Sequence, residues 1–165
     1  MGGKVLVAGI GNIFLGDDAF GVEVVQRLAQ RPLPGHVCVM DFGIRSFDLA
    51  YTLMCEWDLI ILVDTLPRGG QPGTLYTLEP ELPGTDELPA NFDAHTMNPV
   101  AVLQMVCALG GQVGRMQVVG CEPATVEPDP EGHMGLSEPV QAAVDEAIRV
   151  IEDLVKCAKC QVTAA

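Results

Sequence analysis

Five side chains in this sequence could carry out chemistry together, four of them carboxylates and one an imidazole. They are Asp17, Asp18, Asp41, Asp64 and His95. The aspartates follow apolar runs typical of buried strands, and the histidine ends an acidic segment. In an open parallel sheet the ligand crevice lies beyond the carboxyl ends of the strands, so we expect these side chains at one edge. Two carboxylates and an imidazole, with coordination positions left open, suit a borderline divalent metal ion.

Some of these carboxylates also have structural interpretations. Aspartate is favoured at the start of a helix, so one member of the Asp17-Asp18 pair is expected to cap the helix that follows. We assign that role to Asp17 and the site role to Asp18. Asp64 emerges from an apolar strand, where a structural hydrogen bond and a site role are both open.

The histidine of the site is chosen among three, because His36 and His133 compete with His95. What favours His95 is its position beside an acidic, proline-rich loop predicted over residues 79–94 and ahead of a well-capped helix. A second long loop is predicted over residues 122–135. Loops longer than about twelve residues inside a compact domain are usually functional or mobile.

The elements that must position these residues follow from the alternation of strand-like and helix-like apolar periods. The block Leu59–Val63 is the strongest strand signal and is typical of a strand covered on both faces. Proline and the predicted caps set the helix limits. The predicted strands are 4–9, 36–41, 58–64, 74–78 and 115–121; the predicted helices are 19–31, 46–55 (capped by Ser46), 99–109 (capped by Asn98) and one that opens at Ser137.

Alternating strands and helices predict an α/β protein, a single-domain three-layer α/β/α sandwich with a mostly parallel, twisted sheet. The chain of 165 residues is long enough to bury one continuous core. We expect one domain over residues 1–156 and a C-terminal tail over residues 157–165.

Composition excludes several classes of partner. The chain has 22 acidic and 9 basic residues, for a formal net charge of −13. Nucleic acid and anionic lipid both require clustered Lys and Arg, so neither is an expected partner. No targeting segment or apolar run of membrane-spanning length is visible, and we expect a cytoplasmic protein.

The six cysteines do not predict disulfides. Cys38, Cys107 and Cys121 lie inside apolar runs, where a reduced thiol behaves as a small hydrophobic side chain. Cys157 and Cys160 have the spacing of half a zinc site, but a complete zinc site needs four ligands. The role of this pair stays open.

Familiar motifs of other enzyme classes are missing. The loop after the first strand has Gly9 and Gly11 but Phe14 at the third glycine position of the dinucleotide fingerprint, and its acidic end would repel a pyrophosphate. Nucleotide binding is therefore the weakest hypothesis. The sequence has neither the His-Glu-x-x-His of helix-borne zinc proteases nor the Gly-x-Ser-x-Gly of common serine hydrolases.

Several motifs, in order, resemble those of the hydrogenase maturation endopeptidases, over nearly the whole chain to about Leu154. They are Gly9-Ile-Gly-Asn-Ile-Phe-Leu-Gly-Asp-Asp-Ala-Phe-Gly-Val, Asp41-Phe-Gly-Ile-Arg, Leu62-Val-Asp-Thr, Asp93-Ala-His-Thr-Met-Asn-Pro, Val119-Gly-Cys-Glu-Pro and Gly135-Leu-Ser. The resemblance implies a nickel-contacting triad, which falls on Asp18, Asp64 and His95. It also implies a substrate-binding element at Asp41 and Gly43.

The resemblance further implies the reaction. These aspartyl-type endopeptidases remove a short C-terminal extension from a hydrogenase large-subunit precursor once nickel has been inserted, and the nickel is contributed by that substrate. The alternative is a non-catalytic, nickel-dependent chaperone of the large subunit. In the hydrolytic step the metal could polarise the scissile carbonyl or activate water, or one carboxylate could act as general base.

Overall fold

A computed structural model describes residues 3–81 and 99–162, with side chains to residue 158. Five strands in this part form one sheet in the order β2-β1-β3-β5-β4. Strands β1, β2, β3 and β5 are parallel, and β4 joins the β5 edge in antiparallel orientation. The strands are β1 (Val5–Ile10), β2 (Val37–Gly43), β3 (Leu59–Thr65), β4 (Leu75–Leu78) and β5 (Met116–Cys121).

Four α-helices in the described residues cover the two faces of this sheet. They are α1 (Phe20–Leu28), α2 (Ser46–Leu53), α3 (Pro99–Ala108) and α4 (Glu138–Val162), and a 3₁₀ turn over Gly16–Ala19 precedes α1. Helices α1 and α4 pack on one face and helices α2 and α3 on the other. The predicted three-layer α/β/α sandwich is confirmed.

Alternate residues of each central strand enter different halves of the core, as the two-residue period of a strand requires. In β3, Ile61 and Val63 face α1 and α4, whereas Ile60 and Leu62 face α2 and α3. All four side chains are completely buried. A strand with both faces covered is therefore apolar throughout, which is why this block was the clearest signal in the sequence.

The structure differs from the prediction at the ends of several helices. Ser46 is the first residue of α2, and its side chain does not cap that helix. Helix α1 ends at Leu28, three residues before the predicted end. Helix α4 continues to Val162, through residues that the sequence pattern assigns to a C-terminal tail. In the described part of the chain, no helix is long and apolar enough to cross a bilayer.

Candidate active site

The candidate site lies where the four parallel strands end. Because these strands run in the same direction, the residues that follow them meet at one edge of the sheet. The loop after β1 returns close to that edge: Gly11 has a φ of 142°, and a Cβ there would lie 1.8 Å from the Asp18 carbonyl oxygen. Helix α1 also approaches closely, since a Cβ on Gly21 would lie 2.1 Å from the Val63 carbonyl oxygen. These two glycines let the chain bring Asp18 to the end of β3.

Both carboxylate oxygens of Asp18 accept hydrogen bonds. The Asn12 N–H donates to Oδ2 at 2.8 Å, and the Thr65 hydroxyl donates to Oδ1 at 3.2 Å. The first bond ties the side chain to the loop after β1, and the second ties it to the end of β3. The Asn12 N–H is thus already used by a carboxylate, which further disfavours a nucleotide phosphate in this loop.

Asp64 lies at the end of β3 and is only 7% exposed. The Thr65 backbone N–H donates to its Oδ1 at 2.7 Å, and the Thr65 hydroxyl lies 3.4 Å from the same oxygen. Burial and then the negative charge of Asp18 raise the pKa of Asp64 well above its ordinary value, against the opposing effect of the Thr65 hydrogen bonds. The structure therefore brings Asp18 and Asp64 together, with Thr65 between them.

Thr65 is a site residue that the site assignment from sequence missed. It follows Asp64 in the motif Leu62-Val-Asp-Thr, but a threonine at a strand end is explained by β propensity alone. The signal that could have found it is its position, since the residue after a strand-end carboxylate lies at the same edge of the sheet.

The assignment of Asp17 as a helix cap is wrong. Neither the 3₁₀ turn nor α1 has a side-chain cap. The completely buried carboxylate of Asp17 instead accepts hydrogen bonds from backbone N–H groups of the second long loop. The donors are Ala124 at 2.8 Å, Thr125 at 3.2 Å and Ser137 at 2.7 Å, and the Ser137 hydroxyl adds a fourth bond at 2.8 Å. Asp17 fastens both ends of that loop to the segment that carries Asp18.

His95 lies outside the described residues, so its place relative to Asp18 and Asp64 stays a prediction. Of its competitors, His36 precedes β2, and its carbonyl accepts the Val5 N–H at the opposite edge of the sheet. His133 lies in the second loop with its Nδ1 3.5 Å from Asp129. Within residues 3–81 and 99–162, no three His, Cys, Asp or Glu side chains are grouped to hold a metal ion.

Asp41 and Gly43 line a groove of about 380 Å³ between the loop after β1 and the end of β2. Gln26 donates to the Asp41 carboxylate at 3.1 Å, and the Arg45 guanidinium donates to its carbonyl oxygen. Gly43 has a φ of 53°, and its carbonyl accepts the Gly11 N–H at 3.0 Å. Exposed apolar side chains line the same groove, namely Ile13, Phe14 and Ile44.

A third buried carboxylate at this edge, Glu122, has no role in the site predicted from the sequence. It follows β5 and accepts the N–H groups of Arg68 at 2.8 Å and Gly69 at 3.2 Å, and the Tyr76 hydroxyl at 3.0 Å. The Arg68 bond is the main cause that lowers the pKa of Glu122. Glu122 fixes the loop after β3, as Asp17 fixes the loop after β5.

Comparison with known proteins identifies the family of this chain. A family model described as hydrogenase maturation protease matches residues 22–154. The chain belongs to the hydrogenase maturation protease family. It is 31% identical to the hydrogenase 2 maturation protease of Escherichia coli over 153 residues, which cover 90% of this chain and 88% of that protein.

The chain also matches a second curated protein and a solved structure over most of its length. The protease is 31% identical over 161 residues to a protein of Methanothermobacter thermautotrophicus named coenzyme F420 hydrogenase subunit delta, covering 94% of this chain and 97% of that one. Its fold is similar to that of the hydrogenase maturating endopeptidase HybD from Escherichia coli, with a TM-score of 0.71 and 29% identity over 93% of this chain and 92% of that chain. The protease is thus a hydrolase of the kind that acts in hydrogenase maturation.

Proposed function

We propose that this protease removes a short C-terminal extension from the precursor of a nickel-containing hydrogenase large subunit, after nickel has been inserted. The observation that carries the proposal is the meeting of Asp18 and Asp64 at the carboxyl edge of the sheet in a chain of this family. Two carboxylates at one strand edge, beside a groove that a peptide can enter, supply both a ligand set and a candidate base.

Nickel enters this proposal as part of the substrate. Carboxylate oxygens of Asp18 and Asp64 and the imidazole of His95 form an oxygen and nitrogen ligand set that suits a borderline ion. Asp18 and Asp64 are two of the three proposed ligands, and His95, which lies outside the described residues, is the third. A precursor without nickel would lack these ligand interactions and bind less tightly. The protease would therefore distinguish nickel-loaded from unloaded precursor by a difference in affinity.

The groove beside the site is the proposed place for the substrate peptide. Asp41 and Gly43 line this groove together with the exposed apolar side chains of Ile13, Phe14 and Ile44. Peptide sites commonly combine apolar contacts for affinity with a few polar groups for orientation.

For the hydrolytic step we propose that one carboxylate of the Asp18 and Asp64 pair acts as general base, because the attacking water must lose a proton. Asp18 is held in place at this edge, since both of its oxygens accept hydrogen bonds from neighbouring groups.

The test is a processing assay with purified protein and nickel-loaded precursor, read by mass spectrometry as a loss of mass at the precursor's C-terminus. Asp18→Asn, Asp64→Asn and His95→Ala should each leave a folded protein that trims at least about 100-fold more slowly. Asp153→Asn, an exposed change on α4, is the control and should trim normally. Full processing by all three site variants would refute the site.

A holding role is the second candidate, and one observation favours it: a relative of equal identity is named as a hydrogenase subunit. A protein that only holds the large subunit would form a stable complex with nickel-loaded precursor and leave its mass unchanged. The same assay therefore separates the two functions.

A further inference from the structure

Thr65 is the one described side chain that hydrogen-bonds to both site carboxylates. Its hydroxyl oxygen lies 3.2 Å from Oδ1 of Asp18 and 3.4 Å from Oδ1 of Asp64. A hydroxyl has a single proton and can donate it to only one acceptor at a time. Because the Thr65 backbone N–H already donates to Asp64, the hydroxyl can donate its proton to Asp18.

This arrangement leaves Asp18 dependent on Thr65 for its orientation. Its Oδ2 is held by the Asn12 N–H, and its Oδ1 is held by Thr65. Without the hydroxyl, Asp18 would keep only the bond to the loop after β1. Two neighbouring carboxylates repel each other, and nothing else in the described residues donates to the Asp18 oxygen that faces β3.

We propose that Thr65 is a positioning residue, whose hydroxyl keeps the carboxylate of Asp18 turned toward Asp64 so that both reach one centre in the substrate. The inference rests on the proposed function for the identity of that centre. The positioning itself rests only on the geometry of Asp18, Asp64 and Thr65. The β-branched shape of Thr65 fits the strand end, but shape alone does not require the hydroxyl.

The test compares Thr65→Val, which keeps the shape and removes the hydroxyl, with Thr65→Ser, which keeps the hydroxyl and removes the methyl group. Thr52→Val is the control, because the Thr52 hydroxyl donates to the Asp48 carbonyl within α2, away from the site. Crystal structures of the metal-free variants show the orientation of Asp18, and trimming of nickel-loaded precursor gives kcat and KM separately.

In Thr65→Val we expect the Asp18 carboxylate to take a different orientation or to occupy several orientations. We also expect kcat/KM for trimming to fall about ten- to a hundredfold, the loss expected for one hydrogen bond to a charged group. Thr65→Ser should restore the orientation and most of the rate, and Thr52→Val should match the wild type. An unchanged Asp18 in Thr65→Val, or a serine variant as impaired as the valine variant, would overturn the proposal.

The two proposals fail in different ways. If the wild-type protein leaves nickel-loaded precursor intact, the endopeptidase function is wrong, and the crystal structures still decide whether Thr65 orients Asp18. If the wild type trims normally and Asp18 keeps its place in Thr65→Val, the positioning role alone is wrong.

Discussion

Asp64 is held where a charge is costly. The fold needs β3 to be buried on both faces, and the carboxylate at its end is almost as buried as the strand. Its raised pKa means that the folded protein binds a proton at Asp64 more tightly than the unfolded chain does. The stability that this group contributes is therefore complete below the usual aspartate pKa and is lost as pH rises through the raised value.

Replacing Asp64 by a neutral isostere should remove this cost. We expect Asp64→Asn to unfold at a higher urea concentration than the wild type at pH 7, because the amide needs no proton to be neutral. The difference should shrink as pH falls below the usual aspartate pKa. Urea denaturation over a range of pH measures it, with Asp153→Asn as an exposed control that should show no such trend. A less stable Asp64→Asn at pH 7 would contradict this account.

The meeting of Asp18 and Asp64 at one edge could be predicted, because alternating strands and helices predict a mostly parallel sheet and parallel strands place their ends together. The role of Asp17 could not. Its partners are backbone groups more than a hundred residues away in the chain, and local preference pointed to a helix cap instead. Thr65 and Glu122 were missed for a similar reason: their roles depend on which N–H and carboxylate groups the loops bring to them.

At the scale of elements, buried carboxylates organise the loops around the site. Asp17 is the stronger case, because it accepts backbone N–H groups at both ends of the segment between β5 and α4. It thereby fixes where α4 begins and where the loop crosses the edge of the sheet. The position of this loop therefore depends on the Asp17 side chain as well as on the sequence of the loop.

Removing this carboxylate should therefore be expensive. Asp17→Ala would remove the acceptor of three part-buried N–H groups and of the Ser137 hydroxyl, and we expect a loss of about 3 kcal/mol in the free energy of unfolding. Amide hydrogen exchange at Ala124, Thr125 and Ser137 should accelerate with it. Asp129→Ala, in the same loop, removes an acceptor of a short-range bond to Glu131 and should cost less than about 1 kcal/mol. Equal losses in the two variants would show that Asp17 has no special role.

Most limits of the strands and helices could be predicted from the sequence, but the end of α4 could not. The five strands and four helices were placed close to their observed limits because their apolar periods are strong. The predicted C-terminal tail begins inside α4, because the large apolar side chains of the helix end near Val155 and the family resemblance does not extend beyond it. Where tertiary packing no longer selects side chains, periodicity carries little information about a helix end.

On the scale of the whole molecule, the chain combines a strongly acidic composition with a small apolar area beside its site. Phe14 is 63% exposed and Ile44 is 55% exposed. Exposed apolar side chains grouped at a groove are typical of a surface that another chain covers.

If this groove receives the precursor peptide, Phe14→Ser and Ile44→Ser should each raise KM for trimming about tenfold, since covering the exposed part of a large apolar side chain contributes about 1.4 kcal/mol. Thermal stability should stay unchanged, because the wild-type side chains are exposed. Leu109→Ser, at an exposed position after α3, serves as control. Unchanged KM values in both groove variants would place the peptide elsewhere.

Helix α4 starts at the edge of the sheet that holds the site, where Ser137 meets Asp17, and runs back toward the opposite edge. Twenty-five residues of helix span about 37 Å, well beyond the length of the six-residue strand β5. Cys157 is exposed near the far end of this helix. A fluorophore or solid support coupled to that thiol, with Cys55 and Cys160 replaced, would leave the edge that holds the candidate site facing solution and open to an incoming precursor.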